Sequence, residues 1–133
     1  MRKTHQGSCH CGAVRFECEL DLRDETSRCN CSSCSKGRFW KSIVQPDAFR
    51  LLEGADVLTD YQFGERRIHH MFCSRCGVKT FGRVRIEDAG EFVAINVACL
   101  DDANDAELAA APIVYQDGRH DRWERAPVET SYL

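Results

Sequence analysis

The sequence contains no run of about 18 apolar residues, so no membrane-spanning helix is expected. Positive charge is not in excess. Lys and Arg number 18 against 21 Asp and Glu, for a formal net charge of -3. That balance argues against a general nucleic-acid binder, which presents a basic face. No apolar stretch follows Arg2 and Lys3, so no secretory signal is expected at the amino terminus, which reads from Met1. There is no internal repeat, low-complexity tract or Pro/Gly-rich linker, and the 133 residues are expected to form one domain over 1–133.

Cysteine, by contrast, is abundant. Seven of the nine cysteines fall into Cys9-x-Cys11, Cys29-x-Cys31-x-x-Cys34 and Cys73-x-x-Cys76-Gly77. With no secretion signal, such a count predicts a reducing, cytoplasmic setting in which thiols stay free or bind metal. A disulfide across Cys9 and Cys11, with one residue between them, would be strained. Tetrahedral zinc needs four ligands at roughly 2.3 Å, and two short pairs make one closed site. Cys9 and Cys11 with Cys73 and Cys76 are the preferred grouping because it leaves each loop around a single ion. Spacing alone also permits Cys9 and Cys11 to share an ion with Cys29 and Cys31. The preferred grouping leaves Cys29, Cys31 and Cys34 one ligand short of closed. An open zinc is a catalytic or substrate-binding zinc.

The turn at 73–77 reads as a zinc knuckle, with Gly77 supplying an unusual backbone dihedral after the second ligand. A thioredoxin-like pair would need a helix after its first cysteine. Cys18 alternates with Val14, Phe16 and Leu20 and reads as a small core residue. Cys99 reads as core by default. His10 reads as a solvated loop residue, and His69 and His70 alternate across a strand so that only one can face a site. Either Cys99 or His70 could close the second site.

The remaining pattern is mostly β. Residues 14–20 alternate with period two. Residues 39–44, 67–72, 78–86 and 92–97 read as further strands, and 112–115 as one more short strand. Residues 46–49 suit a helical turn begun by Pro46. Residues 49–52 and 57–63 suggest a hairpin across 53–56. Residues 101–111 read as a loop or short helix. Many short strands predict small packed antiparallel sheets with little helix, not a parallel α/β sheet.

With these residues in hand, the chain resembles the glutathione-dependent formaldehyde-activating family, which includes the centromere protein V domain. The matching stretches are Gly7-Ser8-Cys9-His10-Cys11-Gly12-Ala13-Val14-Arg15-Phe16 and Cys29-Asn30-Cys31-Ser32-Ser33-Cys34. They continue through Phe49-Arg50-Leu51-Leu52-Glu53-Gly54, Tyr61-Gln62-Phe63 and His70-Met71-Phe72-Cys73-Ser74-Arg75-Cys76-Gly77. Cys99-Leu100-Asp101 and Trp123 complete the match, and the Tyr61 and His70 stretches look closer to the centromere protein V branch.

The resemblance implies a zinc-ribbon-like β-tent of small, zinc-pinned sheets. It implies a structural zinc on Cys9, Cys11, Cys73 and Cys76, and a second zinc on Cys29, Cys31 and Cys34 at the active site. It further implies a carbon–sulfur lyase that joins formaldehyde to glutathione as S-hydroxymethylglutathione. Basic residues among Lys36, Arg38, Lys41, Arg66 and Arg67 are then expected near the two glutathione carboxylates. A different reading is a non-catalytic binding module with two structural metals. Zinc-ribbon-like nucleic-acid recognition is the weakest, because no aromatic-basic strand face accompanies the acidic balance.

Overall fold

The computed structural model describes residues 2–133; Met1 lies outside the described residues. The chain forms β1 (Lys3–Ser8), β2 (Arg15–Leu20), β3 (Thr26–Cys29), α1 (Ser32–Gly37), β4 (Trp40–Val44), β5 (Phe49–Glu53) and β6 (Leu58–Tyr61). It continues through β7 (Ile68–Cys73), β8 (Lys79–Ile86), β9 (Gly90–Asn96), α2 (Asp105–Ala110) and β10 (Ile113–Gln116). The first sheet has three strands in the order β1-β2-β5. The second has seven, in the order β10-β3-β4-β9-β8-β7-β6. The fold is mainly β with antiparallel pairing, except that β10 lies parallel to β3. Among the described residues, no helix is long and apolar enough to cross a membrane.

The period-two pattern of β2 puts Phe16, Cys18 and Leu20 inward, as expected of a strand with one buried face. Phe16 meets Phe49 of the same sheet at 5.7 Å and Phe81 of β8 at 6.4 Å; Phe49 and Phe81 are 4.5 Å apart. This trio joins the sheets. Val93 and Ile95 of β9 and Val97, just after it, belong to the same core. Burying each ring contributes on the order of 2–3 kcal/mol. Cys18 and Cys99 are both in this core, as read from the sequence.

The expected hairpin over 53–56 does not form. β5 pairs with β2 in the first sheet, whereas β6 pairs with β7 in the second. Gly54 explains the divergence. It takes φ 97°, and a Cβ there would stand 2.4 Å from the Ala13 carbonyl oxygen. The chain therefore turns tightly under the 9–14 loop, makes one 3-10 turn at Ala55–Val57, and leaves in a new direction. The other punctuation is as expected. Pro46 opens a 3-10 turn, and Asn104 with Glu107 forms a reciprocal cap that starts α2 inside 101–111.

Candidate metal centres

Two turns of similar build carry the first cluster. Cys9 and Cys11 lie between β1 and β2, so this loop follows a strand as well as preceding one. Cys73 ends β7, and Cys76 sits in the turn to β8. In each turn the first cysteine donates its amide to a valine carbonyl, Cys9 to Val14 at 3.1 Å and Cys73 to Val78 at 3.0 Å. Each turn also aims an amide at that cysteine's sulfur: Val14 at Cys9 Sγ, 3.3 Å, and Arg75 at Cys73 Sγ, 3.4 Å. Gly77 takes φ 80°, the left-handed conformation expected after the second ligand.

The four sulfurs lie within 4.8 Å of one another. Cys9 Sγ to Cys11 Sγ and Cys11 Sγ to Cys73 Sγ are both 3.7 Å. Tetrahedral zinc with bonds of roughly 2.3 Å would set its sulfurs ~3.8 Å apart. The spacing fits such an ion and is far too long for a disulfide. The electrostatics agree. Backbone amides of Cys11 and Val78 pull the Cys76 thiol down to about 6, and those of Cys76 and Arg75 lower Cys73. The Ala13 amide pulls Cys11 the same way, but desolvation and the neighbouring sulfurs lift it to about 11. Four sulfurs this close ionise together only around a cation.

The second cluster occupies six residues. Cys29 ends β3 and is buried, Cys31 caps the amino end of α1, and Cys34 lies within it. Their sulfurs also lie within 4.8 Å of one another, and the Cys31 amide points at Cys29 Sγ at 3.3 Å. Hydrogen bonds from the Cys29 and Cys34 thiols hold Cys31 far below an ordinary thiol. Hydrogen bonding with Cys29, then with Cys31, together with burial, pushes Cys34 up. Among the described residues, no fourth His, Cys, Asp or Glu joins this group. Cys99 is not its missing ligand. Its thiol points to the Lys79 carbonyl at 3.7 Å, and burial followed by the charges of Asp101, Cys9 and Cys76 raises it to about 12. His70 is also outside the group. Its Nδ1 faces Lys79 Nζ at 2.7 Å.

A polar frame holds the loop. Buried Asn30 donates to Asp117 Oδ1 at 2.8 Å and accepts from the Arg119 amide at 2.9 Å. Ser35 Oγ returns to the Asn30 carbonyl at 2.8 Å. Gly118 lies against Cys29; a Cβ there would stand 2.5 Å from Sγ and 2.6 Å from the Trp123 ring.

Two concavities flank the loop. One, of about 520 Å³, is lined by Cys31, Ser32, Ser35, Lys36, Gly118 and Arg119. The other, of about 760 Å³, runs from Ser32, Ser33 and Lys36 to Phe39, Tyr61, Phe63, His70, Phe72 and Lys79. A further concavity of about 910 Å³ lies elsewhere, on mixed charges at Glu65, Arg66, Arg67, His69 and Arg85, and holds none of the cysteines.

The sequence profile of the glutathione-dependent formaldehyde-activating enzyme family matches residues 4–117, which include both clusters. The chain belongs to this family. A protein of Halomonas elongata that carries the family's name is 39% identical over 83 residues, covering 53% of this chain. The chain spans about half the length of that relative, 50%. A Rhodobacter sphaeroides protein of known crystal structure is 36% identical with a TM-score of 0.69, over 82% of this chain and 99% of the other.

Within the family frame, the basic residues sort differently from the expectation. Lys36 lines both concavities, and Lys41 reaches Gln116 Oε1 at 2.9 Å close to the three-cysteine loop. Arg38 is held by the Tyr132 carbonyl at 3.0 Å. Arg66 and Arg67 line the third concavity and not those at the cysteines; the Arg67 carbonyl accepts from the Arg85 amide of β8 at 3.0 Å, which sets it on that side. Sequence reasoning passed over Lys79 and Arg119. Lys79 begins β8 only two residues past Gly77, a short-range signal that was available. Arg119 is brought in by the parallel β10–β3 pairing, which leaves no mark on the local sequence.

Proposed function

We propose that this chain is a zinc-dependent enzyme of the carbon–sulfur lyase type, binding glutathione or a related thiol and forming or cleaving its adduct with an aldehyde, formaldehyde in the family's name. The observation that carries the reading is the three-sulfur cluster with no fourth ligand among the described residues, opening at Cys31 into a concavity with Lys36 and Arg119. In this reading Cys9, Cys11, Cys73 and Cys76 hold a structural zinc, and Cys29, Cys31 and Cys34 hold the reactive one. Residues 1–133 act as one domain, in a reducing cytoplasm.

Zinc on three thiolates would supply a soft fourth position where a thiol is held as thiolate, the nucleophilic form of sulfur. The chain's own residues do the rest. Lys36 and Arg119 suit the two carboxylates of glutathione through charge-assisted hydrogen bonds. The 760 Å³ groove beside them gives the aldehyde a place within reach of the sulfur, so that two solutes meet in one geometry. The sulfur adds to the carbonyl carbon, the carbon–oxygen π bond opens, and the oxygen takes a proton. A closed, purely structural second site would need a fourth ligand, which neither Cys99 nor His70 supplies here.

The test is the rate at which glutathione and formaldehyde equilibrate with S-hydroxymethylglutathione, followed by exchange NMR. Zinc-loaded protein is expected to accelerate it, and Cys31→Ser to abolish the acceleration. No acceleration by the zinc-loaded protein defeats the reading.

A further inference from the structure

A one-carbon aldehyde has little use for the groove beside α1. Four aromatic side chains line it: Phe39, Tyr61, Phe63 and Phe72. Tyr61 and Phe63 are 54% and 40% exposed. They are nevertheless ordered into a stack. The Tyr61 and Phe63 centroids are 5.7 Å apart, and Phe63 lies 5.3 Å from the His70 ring at an interplanar angle of 17°. Offset rings at such spacing form a flat wall on which another planar group can lie.

The end of the wall carries an unspent hydrogen bond. His70 is 6% exposed, and its Nε2 is buried without a partner. Lys79 Nζ donates to Nδ1 at 2.7 Å, which places the ring proton on Nε2. A buried N–H without an acceptor carries a desolvation cost, here borne inside the fold beneath the groove. Lys79 itself lies over the Phe39 ring at 3.9 Å, so a cation stands in the same groove. The groove shares Ser32 and Lys36 with the concavity into which Cys31 opens. A planar apolar group on the ring wall therefore lies next to the concavity at Cys31.

We propose that this groove accepts an aromatic aldehyde as the carbon partner of the thiol, with its ring against Tyr61 and Phe63. The inference rests on the proposed function above and names its substrate class. The chemistry balances as before. The sulfur–carbon bond forms, the carbonyl π bond breaks, the oxygen gains the proton, and nothing is oxidised or reduced.

The experiment is calorimetric titration of zinc-loaded protein with S-benzylglutathione and with S-methylglutathione, neither of which can offer a thiolate. The benzyl ligand is expected to bind about tenfold tighter, from one ring stacked and buried. In Tyr61→Ala and Phe63→Ala the ratio of the two affinities is expected to fall to near one. Both residues are exposed, so these variants are expected to fold. Circular dichroism checks this, and Phe63→Leu repeats the test with an apolar but non-aromatic side chain. Equal affinities in the unaltered protein, or a ratio that survives both alanine variants, overturns this inference and leaves the thiol reading standing. Failure of every glutathione ligand, glutathione included, overturns both.

Discussion

Losing one sulfur is expected to cost far more at one cluster than at the other. The four-cysteine group ties the β1–β2 turn of the first sheet to the β7–β8 turn of the second, and 62 positions separate Cys11 from Cys73. The three-cysteine group closes only the segment from Cys29 to Cys34. Treating each metal as a cross-link on the unfolded chain, a loop of that longer length is worth about 4 kcal/mol of restricted entropy, and a six-residue loop about 2 kcal/mol. A domain of this size has about 5–15 kcal/mol of stability in total, so the first loss is crippling and the second tolerable. Local support widens the gap. Cys9 and Cys73 are buried with Val14, whereas the loop around Cys29 is also framed by Asn30, Asp117 and Ser35 hydrogen bonds that do not use the cysteine sulfurs. The assay is urea denaturation of zinc-loaded protein followed by circular dichroism, with bound zinc counted in the same samples. Cys76→Ser is expected to be molten or to unfold at much lower urea. Cys31→Ser is expected to keep its strands and lose one equivalent of zinc. Equal destabilisation by the two variants refutes the division into a structural and a reactive site.

Other outcomes follow from individual residues. Gly118→Val should push into Cys29 Sγ and Trp123, lowering zinc occupancy by about one equivalent with little change in strand content; unchanged zinc content would remove Gly118 from the second site. Burial, followed by the Lys79 charge, depresses His70 from 6.5 to about 4. Between those values the unfolded chain takes up a proton that the folded chain refuses. That contribution to stability is therefore complete above pH 6.5 and fades as pH falls toward 4. His70→Gln should flatten this part of the stability–pH curve, and an unchanged slope would show that His70 is not the group responsible.

How much of this was legible in the sequence varied with the kind of signal. Apolar alternation at Phe16, Cys18 and Leu20 marked β2, and Pro46 marked its turn, because these are local effects. β1 went unread because Lys3–Ser8 is polar, with only His5 and Gly7 turned inward. His5 is held there by Asp102 at 2.9 Å, a partner 97 residues away. α1 went unread because Ser32–Gly37 consists mostly of poor helix formers, and no residue of it is buried. The hairpin at 53–56 was misread since the turn signal around Gly54 is real, but the strands it joins find partners elsewhere. At the candidate sites, spacing marked the three cysteine clusters but left open which of them share an ion; the fold brings the sulfurs of Cys9, Cys11, Cys73 and Cys76 within 4.8 Å of one another. The ring wall of Tyr61, Phe63 and His70 was not legible, since it needs β6 and β7 side by side.

The measurement that bears most directly on the account is titration of glutathione and of S-methylglutathione into the zinc-loaded protein. The account predicts that glutathione binds at least about tenfold tighter and that its binding weakens as pH falls, because ligation by sulfur requires loss of the thiol proton. Equal affinity for the two ligands, with no dependence on pH, would contradict it by showing that the sulfur does not reach a metal at Cys29, Cys31 and Cys34.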